Sequence, residues 1–266
     1  MRQLIQVINR ARFGRYTNRR FITPTVARLE LLVLAGNAQA QYRLGMLLWN
    51  GQAVPQNQAR ALELLYAAAE AGILNAAYNL AVAYDKGYFV AKSHYKAFGY
   101  YHQAACLGSV EAMHAVGSFY YWGEGVDQDF AKARHWYRKS AKLGYADGMC
   151  DLGRCYQIKV GGRQDKRLAM YWLQKSTQAG CLRAQSWLGL AYTSEPLQNW
   201  DKARYWLEQA AENGQASAMF FLGVWADSGW TGPGNSADAL FWFSKAAELG
   251  HQRAALREAE LRGEEF

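Results

Sequence analysis

The sequence predicts an all-α protein, an α/α superhelical solenoid of about six two-helix repeats with partial capping units at both ends. Three observations predict it. Glycines recur at Gly36, Gly72, Gly108, Gly144, Gly180, Gly214 and Gly250, every interval being 36 residues except one of 34. Each closes a related phrase, such as WYRKSAKLG at Gly144 and WLEQAAENG at Gly214. Within each period two amphipathic helical patterns follow one another. A unit repeated at this period buries its apolar face only against its neighbours, which is how a solenoid is built. Composition agrees: 51% of the 266 residues are hydrophobic and only four are proline. The apolar runs are too short and too often interrupted to span a membrane.

The elements follow in chain order. Residues 1–20 form a basic arm or a degenerate capping helix, with Leu4 and Ile8 falling 36 residues before Ala40 and Leu44. The solenoid covers residues 21–266. Thr23-Pro24 reads as N-cap and first helical residue, opening a helix through Leu34 with Gly36 as its stop. Six repeats then occupy about 37–72, 73–108, 109–144, 145–180, 181–214 and 215–250. A C-terminal cap occupies 251–266, where Arg257, Glu258, Glu260 and Arg262 suit a solvated helix.

In each repeat the first helix carries a small residue, a Leu-Gly pair and an aromatic at spacings of four, as in Ala184, Leu188-Gly189 and Tyr192. These share one face. The second helix carries Lys-Ala, an aromatic pair and a small pair, as in Lys202-Ala203, Trp206-Leu207 and Ala210-Ala211. Gly45, Gly117, Gly153, Gly189 and Gly223 lie inside helices, where glycine costs about 1 kcal/mol against alanine. That cost is offset where another helix approaches closely. The column Trp136, Trp172, Trp206 and Trp242 is expected to fill the space between successive helix pairs. The closing glycines suit left-handed C′ positions.

The phrase Ala-x3-Leu-Gly-x2-Tyr, then Gly-x-Gly-Val, then Lys-Ala-x2-Trp-Tyr-x-Lys-x-Ala-x2-Gly resembles the Sel-one-like repeat. Residues 112–144 carry nearly all of it, with Val116 for the Leu and Ser140 for the first Ala of the small pair. The resemblance covers about residues 37–262, and 21–36 more weakly. The second repeat departs from it with Ala81 for Gly and a Gly87-Tyr88-Phe89-Val90 turn, and the fourth with Gly148 for Ala and a Gly161-Gly162 connection. The resemblance implies a tetratricopeptide-like helical solenoid and a protein-interaction adaptor, often bacterial or tied to secretory quality control. It implies no catalytic residues and no cofactor.

The sequence carries no Gly-x4-Gly-Lys-Ser/Thr, His-Glu-x2-His or Gly-x-Ser-x-Gly motif. The five histidines fall in different repeats and columns, so no metal site is expected. Asp127 and Asp129 sit in a connecting turn, where capping or solvation accounts for them. Cys106, Cys150, Cys155 and Cys181 fit no metal or disulfide pattern, and free thiols are expected. With no apolar leader segment in view, a reducing, cytoplasmic setting is favoured.

Charge is uneven. The net +8 divides as +6 over residues 1–36, +6 over 37–180 and −4 over 181–266. The sequence therefore supports a non-catalytic adaptor that binds a segment of another protein in the concave groove lined by the first helices. Outward positions of those helices give the candidate contacts Tyr42, Met46, Trp49, Tyr78, Asp85, His114, Tyr121, Trp122 and Arg154, placing the partner in repeats one to three. The alternative is an electrostatic contact with nucleic acid or an anionic membrane through Arg10, Arg12, Arg15, Arg19 and Arg20.

Overall fold

In the computed structural model the described residues are 24–195, 198–229 and 234–263, and they form fourteen α-helices and no strand. The first, α1 (Pro24–Leu34), is a lone second-type helix. Twelve helices follow in six consecutive pairs: α2 (Ala38–Asn50) and α3 (Gln58–Glu70), α4 (Leu74–Lys86) and α5 (His94–Cys106), α6 (Val110–Trp122) and α7 (Phe130–Lys142), α8 (Ala146–Gln157) and α9 (Lys166–Gln178), α10 (Arg183–Tyr192) and α11 (Trp200–Glu212), and α12 (Ala216–Ser228) and α13 (Ser236–Glu248). The lone first-type helix α14 (Gln252–Arg262) ends at Gly263. All seven phrase-closing glycines adopt positive φ, between +76° and +104°.

The chain divides into two compact units. One holds the described residues up to Phe119 together with Gly123–Asp127; the other holds Tyr120–Trp122 and the described residues from Gln128 on. In the first unit α1 lies on α2, α2 on α3, α3 on α4 and α4 on α5; in the second α7 lies on α8, α8 on α9, α9 on α10, α10 on α11, α11 on α12, α12 on α13 and α13 on α14. In the second unit α8 also touches α10.

The small and Leu columns form the core. Ala40, Ala76, Ala112, Ala184 and Ala218 are buried with Leu44, Leu80, Val116, Leu152 and Leu188. On the second helices the buried column is one residue beyond the tryptophans. Tyr137, Leu173, Leu207 and Phe243 are 0–1% exposed, whereas Trp136 is 9% exposed and Trp172, Trp206 and Trp242 are half-buried. One residue along a helix turns the side chain by 100°. The indoles therefore cover the edge of the core, and Leu and Phe fill its centre.

The interior glycines sit where that central column crosses. A Cβ at Gly153 or Gly189 would stand 2.7 Å from Cγ of Leu173 or Leu207, and one at Gly223 2.7 Å from the Phe243 ring. In the second repeat Ala81 stands at this glycine's position and Tyr101 in the central column, and both are buried.

The connections are tied by a repeated bond. The amide N–H of Asn57, Ser93, Asp129, Asp165, Asn199 or Asn235 donates to a carbonyl in the last turns of the preceding first helix at 2.8–3.2 Å. The same six residues then cap the second helix with their side chains. Asp129 is thus a capping residue, as expected. Beside it, Gln56, Gln128 and Gln164 donate their side-chain amides to Trp49, Tyr121 and Gln157 carbonyls. The shortened fifth repeat loses two residues here, yet Asn199 N–H still reaches Tyr192 O at 2.8 Å. Replacing Asn199 by Ala is expected to cost about 1 kcal/mol, because the Lys202 amide loses its partner. A denaturant titration showing no loss would remove the capping role.

The Gly161-Gly162 departure has a steric cause. A Cβ at Gly161 would stand 2.0 Å from the Phe130 carbonyl oxygen, and one at Gly162 2.6 Å from Arg134 Nη1. This connection lies directly on the start of α7, where Arg134 donates to the Arg163 carbonyl at 3.1 Å.

Candidate partner-binding surfaces

In the first unit the outward positions of the first helices are half-buried rather than free. Tyr42 and Met46 lie on α2, and the Met46 sulfur accepts a hydrogen bond from Asn79 Nδ2 at 3.2 Å. Tyr78 stands edge-on to Tyr101 with ring centroids 5.7 Å apart. Burial and then the charge of Glu111 raise its pKa. Trp49 packs edge-on against Phe89 at 4.5 Å. Phe89 takes a φ of +60°, an uncommon conformation for a bulky residue, and leaves Tyr88 exposed beside it. Asp85 is held by Lys86 at 2.8 Å and lies 3.5 Å from His94 Nδ1, which is 3.8 Å from Glu124. His114 is half-buried on α6.

In the second unit Tyr121 is locked in place. Arg154 Nη1 donates to its hydroxyl at 3.1 Å, and the guanidinium lies 4.4 Å from the ring centre. Trp122 and Phe130 stand edge-on to the same ring at 4.8 and 5.4 Å. Trp122 itself is 63% exposed. Arg154 also pairs with buried Asp151 at 3.2 Å, and Asp151 lies 3.4 Å from Arg183, which bonds Asp147 at 2.7 Å. Arg154 thus fixes Tyr121 and is already committed, while Trp122 presents its ring.

The same columns meet around a cleft farther along. Ser186, Trp187 and Leu190 of α10, with Ser217, Phe220 and Phe221 of α12, line a cavity of about 240 Å³. His251 and Arg253 close one side. Ser186, Leu190 and Phe220 lie in the outward columns, beyond the early repeats to which the sequence alone assigns the partner. The adjacent aromatics Phe220-Phe221 after Trp187 were the available signal.

A second surface was also missed. Helix α7 carries five bases and α9 three, with no carboxylate on either. Lys139 lies 4.3 Å from the Trp136 ring centre and Lys175 5.2 Å from that of Tyr171. His135, Lys139, Lys142, Arg167, Tyr171 and Lys175 are all exposed. The signal was a charge count by helix rather than by chain segment. The arm residues Arg10, Arg12, Arg15, Arg19 and Arg20 lie outside the described residues.

Among the described residues no cluster of three or more His, Cys, Asp or Glu could hold a metal ion, and no helix is long and apolar enough to cross a membrane.

Comparison with known proteins accounts for this architecture. No curated protein matches the chain. A Sel1 repeat protein from Oxalobacter formigenes is similar in structure, at 25% identity and a TM-score of 0.67, over 85% of this chain and 97% of that one. A protective antigen of uropathogenic Escherichia coli strains, displaying an SLR fold, is similar at 25% identity and a TM-score of 0.63. The match covers 89% of this chain but only 59% of the antigen's length. The family model for the Sel1 repeat matches residues 38–73, 74–109, 110–145, 146–181, 182–215 and 216–251, one residue later in phase than the glycine-bounded repeats. With these six consecutive matches, the chain belongs to the Sel1 repeat family.

Proposed function

We propose that this chain is a non-catalytic adaptor that binds an extended or helical segment of another protein on the outward face of its first helices. Solenoids of this family commonly serve as protein-interaction scaffolds. The observation that carries the reading is the cleft between α10 and α12. It is concave, lined mainly by Trp187, Leu190, Phe220 and Phe221, and edged by the polar groups of Ser186, His251 and Arg253. An apolar cleft with a few polar groups is what partner side chains anchor in. Tyr121 and Trp122 add a second foothold, and Tyr42, Met46, Trp49 and Tyr78 a third. Trp49, Tyr78, Tyr121 and Trp122 make ring contacts within the chain before any partner arrives, which lowers the ordering cost of binding.

The test has two stages. A photo-crosslinking amino acid is placed at Trp122, at Trp187 and, as a control on the exposed second-helix face, at Tyr205. Adducts to one protein at Trp122 or Trp187 and none at Tyr205 are expected. Affinity for that protein is then measured with Trp187→Ala and with the triple variant Tyr42→Ala, Tyr78→Ala, Tyr121→Ala. The triple variant is expected to weaken binding by at least about 2 kcal/mol while circular dichroism stays helical. Full affinity in both folded variants would reject the first-helix face.

One observation favours a second reading. The acid-free faces of α7 and α9 suit a polyanionic partner, and binding through them would weaken steeply with salt. Binding through the apolar cleft would tolerate it. A salt series distinguishes the two, with Lys139→Glu and Lys175→Glu as the variants that locate the contact.

A further inference from the structure

We propose that Cys150 and Cys181 are a redox-active thiol pair, and that their reversible disulfide staples the fourth repeat to the fifth. Cys150 lies on α8, three residues before Gly153, and Cys181 follows Gly180 in the turn that leads into α10. Both belong to one buried cluster with Ala184 and Leu188. The two thiols are near enough to shift each other's acidity in opposite directions, Cys150 up and Cys181 down. The Cys181 S–H donates to Oδ1 of Asp147, one turn before Cys150 on the same helix, at 3.5 Å, and this carboxylate opposes the lowering of Cys181.

The address of this pair recurs. In the fifth repeat the two positions are Ser186 and Gln215, and the serine hydroxyl donates to Gln215 Oε1 at 2.9 Å. In the sixth they are Phe220 and His251, whose rings stack with centroids 4.6 Å apart and planes 21° apart. Three successive repeats thus bring these two side chains into contact, each time with matched chemistry: thiol on thiol, hydroxyl on amide, ring on ring. The stacking of neighbouring repeats thus brings these two positions together repeatedly.

The pair is electronically unequal. The Cys150 S–H, donated to Cys181, is the largest cause pulling the Cys181 thiol down to about 6, against its burial. The same bond, then burial, pushes the Cys150 thiol far above its ordinary value. The charged groups facing the pair are Asp147 and Asp151 from α8 and Arg183 from α10. Cys181 is therefore the attacking thiolate and Cys150 the resolving thiol. The oxidant required is a hydroperoxide. The Cys181 thiolate attacks one peroxide oxygen, the O–O bond breaks, hydroxide leaves, and the sulfur becomes a sulfenic acid, oxidised by two electrons. The Cys150 sulfur, giving up its proton, then attacks the Cys181 sulfur. The S–O bond breaks, water leaves with that proton, and the S–S bond forms. An external dithiol reverses the reaction by exchange.

Tryptic cleavage separates the relevant cysteines: Cys150 falls in residues 143–154, Cys155 in 155–159 and Cys181 in 176–183. The full chain is treated with dilute hydrogen peroxide under native conditions, blocked with iodoacetamide and digested without reductant. The expected product is peptide 143–154 joined to 176–183, about 2 Da lighter than the sum of the reduced peptides and lost on adding dithiothreitol. Cys106 and Cys155 should remain alkylated. The oxidised protein should melt several degrees higher than the reduced one. The variant Cys150→Ser should fold, since serine occupies that address in the fifth repeat. In it, Cys181 should stop at a sulfenic acid trapped by dimedone; in Cys150→Ala, which removes the donated hydrogen, the alkylation midpoint of Cys181 should move up from about pH 6. Separately alkylated Cys150 and Cys181 after peroxide, or an alkylation profile of Cys181 unchanged in Cys150→Ala, would overturn the pair.

Discussion

Gly189→Leu is expected to lower the stability of the fold by about 3 kcal/mol or more, the range of severe overpacking. A first added carbon already stands 2.7 Å from Leu207 Cγ, 3.0 Å from Leu207 Cδ2 and 3.2 Å from the Ala203 carbonyl oxygen. Leucine then adds three carbons where α10 and α11 meet. The helix-propensity gain over glycine, about 0.8 kcal/mol, does not offset this. Two comparisons give the prediction its sign. Gly99 is exposed inside α5 with nothing within 4 Å of a built Cβ, so Gly99→Ala is expected to stabilise by about 0.5–1 kcal/mol. In the Leu207→Ala background the freed volume should accept part of the larger residue. The double variant is therefore expected to lose less than the two single losses added together. Urea titrations of the four variants against the parent protein check this. Equal stability of Gly189→Leu and Gly99→Ala would remove the close-approach account of the interior glycines.

Most of the fold was legible because its signal is repeated. One Ala-x3-Leu-Gly phrase is a weak helix signal. Six in phase fix the helix face, and Ala112, Ala184 and Leu188 are fully buried as that face requires. The stop glycines were legible because they close every unit. The second-helix core was misplaced by one residue. Tryptophan size drew attention to Trp136 and Trp172, while the neighbouring column Tyr137, Leu173, Leu207 and Phe243 is the one the core closes over. An apolar residue stands at that column in every repeat, and that pattern was the better guide.

The candidate surfaces were less legible because their contacts join adjacent repeats. Met46 meets Asn79, and Tyr121 meets Arg154, each separated by one repeat less about one helical turn. Cys150 and Cys181 meet across a similar interval. Such separations come from how neighbouring helices are offset when they stack. No helix or strand period within the sequence encodes that offset. Residue types that could serve a partner were therefore readable, but not which of them the fold had already paired. Arg154 is the instructive case. Its outward position suggested a contact, yet it is spent on Asp151 and on orienting Tyr121.

Phe243→Ala is expected to cost about 3–5 kcal/mol, as full truncation of a buried aromatic does. The side chain is fully buried, faces Gly223, and lies 5.7 Å from the Phe220 ring. Glycine at 223, directly opposite, has no side chain to move into the space. The effect should also be local. In a repeat array each unit is stabilised by its own packing and by its immediate neighbours. The last hairpin has a full repeat on one side and only α14 on the other. The variant should therefore release α12, α13 and α14 before the rest of the chain. Native-state hydrogen exchange read by mass spectrometry should show lost protection over residues 216–262, with residues 38–106 exchanging as in the parent protein. Leu173→Ala, placed between complete repeats, should instead lower protection on both sides of its own hairpin. Uniform loss of protection along the whole chain in Phe243→Ala would mean that the solenoid unfolds as one unit, and nearest-neighbour stability would not describe it.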